Sequence, residues 1–299
     1  MNLWIEQLEH LRKGDFRSLA RIISLIENEA DGYENFMRKL PSSSAKIIGI
    51  TGAPGSGKSS IADALIGEMI KDKKKVGVLC VDPSSPFNRG ALLGDRIRMS
   101  EWYNNPDVFI RSLASKGSLG GLHPKIIEIS DVMKAAGFDY IIIETVGVGQ
   151  SEVDIAALAD ITVVVLVPES GDIIQTMKAG LMEVADIFVI NKYDRPDADS
   201  FYNSLSQMLA PAFRNSSKEI PVLKTIAPQK NGIDALYKKI TGYNFGPNES
   251  KASMVFEKAW SLIQASKMKH IDKEKLKRDL SIAIAKEDFN LYKFTGNYF

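Results

Sequence analysis

A single cysteine, Cys80, stands in a chain of 299 residues, and that scarcity excludes an intramolecular disulfide framework and any zinc or iron-sulfur site built from several cysteines. A reducing compartment follows, with the cytoplasm as the expected location. Charge of one sign is also missing, since 38 basic residues face 37 acidic ones for a net +1. Such balance argues against broad capture of nucleic acid or of an anionic membrane. The two basic runs, Lys71 to Lys75 and Lys273 to Arg278, read as solvated helix or loop faces. Long apolar runs are absent too. The longest, Ala159 to Val167, is interrupted by Asp160 and Thr162 and falls well short of the roughly 20 residues that span a bilayer. The opening segment MNLWIEQLEHLRKGD places Glu6 and Glu9 inside its apolar pattern, which fits a helix better than a secretory or mitochondrial leader. Neither a nucleic acid nor a membrane is an expected partner.

With 44% apolar and 25% charged residues, the chain has ordinary globular composition. Its length, at roughly 150 residues per domain, suits one large domain or two small ones. Residues 1 to 42 read as a helical extension: Asp15 can cap a helix in which Leu19, Ile22, Ile23 and Ile26 recur at helical spacing. Pro41 and Ser42 to Ser44 end that pattern. Short β-branched runs then alternate with helix-compatible stretches, at 46–51, 75–81, 107–112, 139–144, 160–167, 186–190 and 220–225. Consecutive Ile and Val, as in Ile141 to Ile143 or Val163 to Val165, suit strands covered on both faces, so an α/β domain with a mostly parallel, doubly wound sheet of about seven strands is expected over 43–241. A turn-rich break, Gly242 to Pro247, leads into a helical C-terminal extension over 242–299, read as helical to about Asp288 and then as an aromatic tail, Phe289 to Phe299.

The string Gly52-Ala-Pro-Gly-Ser-Gly-Lys58-Ser59 fits G-x-x-x-x-G-K-[ST] between a strand and a helix, the P-loop context. Its glycines let backbone N–H groups wrap a phosphate, Lys58 suits the β- and γ-phosphates, and the Ser59 hydroxyl suits a magnesium ion. A P-loop does not choose the base. Asn191-Lys192-Tyr193-Asp194, after the strand ending at Ile190, does more: the Asp194 carboxylate can accept from guanine's ring N–H and amine, whereas adenine has no donors there and would leave the carboxylate unsatisfied. Glu144-Thr145-Val146-Gly147 has the D/E-x-x-G spacing of a γ-phosphate sensor, with Glu144 directed at the metal and the Gly147 N–H at the phosphate. Asp82 closes another strand, and Asp95 follows in a segment that also carries Arg89. Both carboxylates are candidates for the metal sphere, with helix or turn capping as the competing role. Arg96 to Tyr103 reads as helical.

The strings GDFRSLARIISLIE (14 to 27), VDPSSP (81 to 86), LGDRIRM (93 to 99), ETVGVGQSE (144 to 152) and NKYD (191 to 194) resemble the MeaB/ArgK family of P-loop GTPases, of the SIMIBI class, over roughly residues 10 to 240. The resemblance implies a P-loop NTPase fold and a GTP-hydrolysing chaperone. Such a chaperone binds an adenosylcobalamin-dependent acyl-CoA mutase, typically methylmalonyl-CoA mutase, and controls its cofactor loading and protection. It implies a phosphate cradle of Gly55, Ser56, Gly57, Lys58, Ser59 and Ser60, and magnesium and switch carboxylates at Asp82, Asp95 and Glu144. Base recognition would fall on Asn191, Lys192 and Asp194, with the Ala227 N–H reaching the guanine oxygen. The stretch Glu169 to Lys178 matches an additional switch in which Asp172, Gln175 and Lys178 relay nucleotide state. A homodimer through residues 242–299 is also implied.

Two features depart from that family. Its guanine loop reads T-S-A, where this chain has Thr225-Ile226-Ala227, and the C-terminal R-R and Q-x-x-W-M-W pattern is absent, leaving Trp260 in a helical stretch. Gln150 has the chemistry to orient a water, and Arg89, Arg96 and Arg98 are candidate arginines for the developing charge. Two other readings compete. A nickel-insertion GTPase needs clustered Cys and His ligands, and Cys80, His10, His123 and His270 are scattered. A P-loop kinase, the older reading of the resembled family, fits less well because N-K-x-D indicates GTP.

Overall fold

In the computed structural model, which describes residues 3–82, 99–114, 122–145, 151–168, 181–215, 220–245, 249–268, 271–285 and 289–298, the N-terminal pattern becomes three helices: α1 (Leu3–Arg12), α2 (Phe16–Glu27) and α3 (Tyr33–Met37). Asp15 caps α2, its carboxylate accepting from Arg17 N at 3.1 Å and from Ser18 N at 3.2 Å, a contact worth about 1 kcal/mol. The stripe Leu19, Ile22, Ile23 and Ile26 is fully buried, so periodicity and packing agree. The Glu27 carboxylate then accepts from Arg111 at 2.7 Å, and Trp4 Nε1 donates to Asp31 O at 2.7 Å.

Each of the seven β-branched runs forms a strand: β1 (Lys46–Thr51), β2 (Val76–Asp82), β3 (Val108–Ala114), β4 (Tyr140–Glu144), β5 (Ile161–Leu166), β6 (Ile187–Ile190) and β7 (Val222–Lys224). They join one sheet in the order β3-β2-β4-β1-β5-β6-β7. Every strand pairing in it is parallel, a stricter arrangement than the mostly parallel sheet that the sequence predicts. From β1 the chain runs out to β2 and β3 on one side, returns to β4 beside β1, and then runs outward through β5, β6 and β7 on the other, so the loop after β1 lies at the point where strand order reverses, the place at which open α/β sheets bind ligands.

The connecting helices are α4 (Lys58–Lys71), α5 (Ile126–Ala135), α6 (Ser151–Leu158), α7 (Leu181–Val184), α8 (Ala198–Asn215) and α9 (Ile233–Thr241). On one sheet face Ile61, Leu65 and Met69 of α4, with Ile233, Leu236 and Ile240 of α9, pack on Ile48, Ile50, Val78, Ile142, Val163 and Val189. Burying each such side chain is worth about 2 kcal/mol. On the other face α6 lies so close to β1 that a Cβ on Gly49 would meet Ile155 Cγ1 at 2.6 Å; glycine there sets how near the helix sits to the strand that launches the P-loop. Cys80 is buried within β2.

Two local expectations change. Of the helical pattern expected over 96–103, the described part is a single 3₁₀ turn, Ser100–Trp102, because Trp102 is drawn into the core and its Nε1 donates to Asp63 of α4 at 2.7 Å. In the aromatic tail a further short helix forms, Leu291–Thr295, capped by Asn290 accepting from Lys293 N at 3.1 Å. The chain divides into two compact units, Met1–Lys251 and Ala252–Phe299. The second consists mainly of α10 (Glu249–Lys267), α11 (Lys273–Ile284) and α12 (Leu291–Thr295). No helix of the described residues is long and apolar enough to cross a membrane.

Candidate nucleotide site

The loop between β1 and α4 turns on glycines that no other residue can replace. Gly52 has φ +139 and a Cβ there would fall 2.1 Å from Val165 O; Gly57 has φ +93 and its Cβ would fall 2.2 Å from Asn191 Nδ2. Both backbone conformation and space therefore demand glycine. Lys58 opens α4 almost fully buried, its Nζ donating to Gly52 O at 2.8 Å and to Ala53 O at 3.0 Å. The cation thus lies across its own loop, on two neutral carbonyls that an anion can outcompete. The Ser56 hydroxyl is buried with no hydrogen-bond partner among the described residues, a cost unless a ligand supplies one.

Ser59, the next residue of α4, donates through Oγ to Glu144 Oε1 at 2.6 Å, both groups buried. Glu144 ends β4, in register with Cys80 of β2 and Ile50 of β1. Two residues beyond Cys80, Asp82 ends β2. The ends of β4 and β2 and the first turn of α4 thus bring Glu144, Asp82 and Ser59 to one edge of the sheet. Thr145, directly after Glu144, is pinned to β1 by Thr145 N to Ile50 O at 3.1 Å and Thr145 Oγ1 to Thr51 Oγ1 at 2.9 Å. No motif marks this threonine pair: Thr51 ends β1 and Thr145 follows β4, and β-branched hydroxyl residues at the ends of two strands are the signal that the sequence offers.

Asn191 joins the phosphate end of the site to the base end. Its Nδ2 donates to Ser56 O at 2.9 Å, while its Oδ1 accepts from Thr225 Oγ1 at 3.2 Å and from Ala227 N at 3.1 Å. The residue is buried, so its amide is committed to bracing the P-loop against the 225–227 loop. The Ala227 N–H, expected at the guanine oxygen, is directed at Asn191 here. Lys192 takes φ +55, and Asp194 follows on an exposed turn. Gly55 and Ser60 sit in the loop and the first turn of α4. Asp95, Gly147, Gln150, Asp172, Gln175, Lys178, Arg89, Arg96 and Arg98 lie outside the described residues.

A family model described as methylmalonyl Co-A mutase-associated GTPase MeaB matches residues 19–279. A Pyrococcus abyssi protein named as a GTPase is 49% identical over 240 residues, covering 79% of this chain and 74% of its own length. A fused isobutyryl-CoA mutase of Geobacillus kaustophilus is 38% identical over 250 residues, which make up 78% of this chain and 23% of that protein. The crystal structure of a LAO/AO transport system kinase superposes with a TM-score of 0.63 at 24% identity, covering 99% of this chain and 97% of that one, a likeness of fold.

Proposed function

Because this chain belongs to the MeaB family of mutase-associated GTPases, we propose that its GTPase cycle acts as a switch on an adenosylcobalamin-dependent acyl-CoA mutase, controlling cofactor loading and protection. Methylmalonyl-CoA mutase is the substrate-level assignment we favour for that partner. The observation carrying the partner is the fused relative, in which a segment similar to this chain shares one polypeptide with an isobutyryl-CoA mutase. Fusion fixes two proteins at high effective concentration and is useful where they act together. A cytoplasmic setting belongs to the same reading, with the scarcity of cysteine in its favour.

In this reading residues 43–241 carry the nucleotide chemistry. The backbone N–H groups from Gly55 to Ser60 hold the phosphates at the start of α4, and Lys58 exchanges the Gly52 and Ala53 carbonyls for phosphate oxygens. Hydrolysis then depends on positioning and charge compensation rather than covalent chemistry. Magnesium fits the residues present: the buried Ser59 hydroxyl and Glu144 carboxylate already meet, Asp82 ends the neighbouring strand, and Asp95 completes the proposed set. When bound, the ion would neutralise developing negative charge on the phosphates. Gly147 and Lys178 are assigned to γ-phosphate sensing and to relay. Asn191, Lys192, Asp194 and Ala227 form the guanine end, where Asn191 acts as the brace and Asp194 reads the base.

Residues 242–299 are assigned to self-association. Phe256, Trp260 and Ile263, spaced along one stripe of α10, are 62%, 51% and 54% exposed, the pattern of a helix face that seeks a partner. The partner proposal is tested by capture from native extract with the purified chain loaded with GTP or GDP. A cobalamin-dependent mutase subunit is expected to co-purify, in an amount that differs between the two nucleotides. Repeated capture without any mutase, from cells that make one, would sink the assignment.

A further inference from the structure

The turn that bears Asp194 is framed by two left-handed residues that are not glycine, Lys192 at φ +55 and Asp197 at φ +66. Such conformations persist only where the surroundings over-determine them. The closing bond, Arg195 N to Lys192 O at 3.0 Å, lies within the turn and cannot anchor it to the fold. Two anchors to neighbouring elements come from Tyr193, the variable position of N-K-x-D. Its N–H donates to Thr225 O at 3.1 Å, and its hydroxyl donates to Asp199 Oδ1 of α8 at 2.5 Å. Lys224, the last residue of β7, places Nζ 4.6 Å from the Tyr193 ring centre and 4.2 Å from that of Tyr202, and 3.4 Å from Asp199 Oδ1. The hydroxyl of Tyr193 also holds the Asp199 carboxyl below its ordinary range, with Lys224 adding to the effect.

We propose that Tyr193, Lys224 and Asp199 form a clamp that positions the base-reading turn against the Thr225–Ala227 loop, making Tyr193 and Lys224 positioning residues for guanine affinity. The inference rests on the reading that Asp194 recognises guanine. Geometry favours this role over a general stabilising one. Lys224 and Asp199 are 45% and 85% exposed, and ion pairs and cation-aromatic contacts at such exposure add little to global stability. What they can do is choose among conformations of a short strained turn. Both ends of the clamp also border the site: Lys224 immediately precedes Thr225, whose hydroxyl donates to Asn191, and Tyr193 lies between Lys192 and Asp194.

The test measures affinity and release of a fluorescent GDP analogue, kcat for GTP and Tm for the full chain carrying Tyr193→Ala, Lys224→Met or Lys224→Arg. Tyr193→Ala is expected to weaken GDP binding about tenfold, mainly through faster release. Its kcat at saturating GTP should fall less than about twofold; because the Tyr193 ring also packs on the cluster around Phe188 and Ile190, Tyr193→Phe, which keeps the ring and removes the hydroxyl, is measured beside it and should weaken GDP binding while its Tm moves by under about 2 °C. Lys224→Met should weaken binding about threefold, with Lys224→Arg restoring it because a guanidinium keeps both the ring contact and the ion pair. Unchanged GDP affinity in Tyr193→Ala and Lys224→Met overturns the clamp, as does an affinity loss that only follows a fall in Tm. Asp194→Asn measured alongside separates the two ideas. If it leaves GTP preference intact, the base-reading assignment has failed; if it shifts preference while Tyr193→Ala binds GDP normally, the clamp alone has failed.

Discussion

Replacing Lys58 with alanine is expected to lower GTP turnover about a thousandfold, the scale of losing a preorganised charge in a dry site. The assay is phosphate release at saturating GTP, with Tm measured beside it. The size of the effect follows from where Lys58 lies. Its ammonium is almost wholly buried at the first residue of α4, where its contacts include Gly52 O and Ala53 O, and neutral carbonyls stabilise a buried cation less well than phosphate oxygens do. Binding nucleotide therefore improves its surroundings, and the further charge that develops during hydrolysis improves them again. Alanine removes both gains while leaving the glycine-defined path of the loop intact, so Tm should change far less than turnover. Near-normal turnover by Lys58→Ala would overturn the assignment of the loop as the phosphate cradle.

Asp194→Asn is expected to shift the preference of the site from guanine toward xanthine nucleotides, changing the ratio of their affinities by about a hundredfold. The carboxylate can accept from guanine's ring N–H and amine together. An amide meets that amine with its own NH₂ group, two donors facing each other, but can donate to the carbonyl that xanthine carries in the amine's place. Competition of GTP and xanthosine triphosphate against a fluorescent nucleotide measures the ratio directly. Asp194 lies exposed on its turn, so the substitution should leave folding unchanged and the readout should be free of stability effects.

Which features were legible in the sequence follows from their range. Strands such as Ile141 to Ile143 and Val163 to Val165 announce burial on both faces, and all seven runs became strands. Asp15 capped α2 as its position before an amphipathic stripe suggested, because capping is decided within three residues. The P-loop was legible for the same reason: its glycines answer to a local backbone path. What could not be read were the partners that strand order brings together. Nothing near Asn191 indicates that its amide spans Ser56 O and Ala227 N, since β1, β6 and the 225–227 loop become neighbours only when the sheet forms. Tyr193 and Lys224 meet for a similar reason, through the pairing of β6 with β7. Trp102 shows the opposite failure, a residue in a helical pattern whose large side chain was claimed by the core and by Asp63.

Whether GTP hydrolysis by this chain serves a mutase, as proposed, is decided by timing phosphate release from GTP and from ATP with and without a purified adenosylcobalamin-dependent mutase from the same cells. Slow release from GTP is expected, with little from ATP, acceleration when the mutase is added, and no phosphorylated product other than free phosphate. Hydrolysis indifferent to the mutase, or transfer of the γ-phosphate to an acceptor, would contradict the proposal.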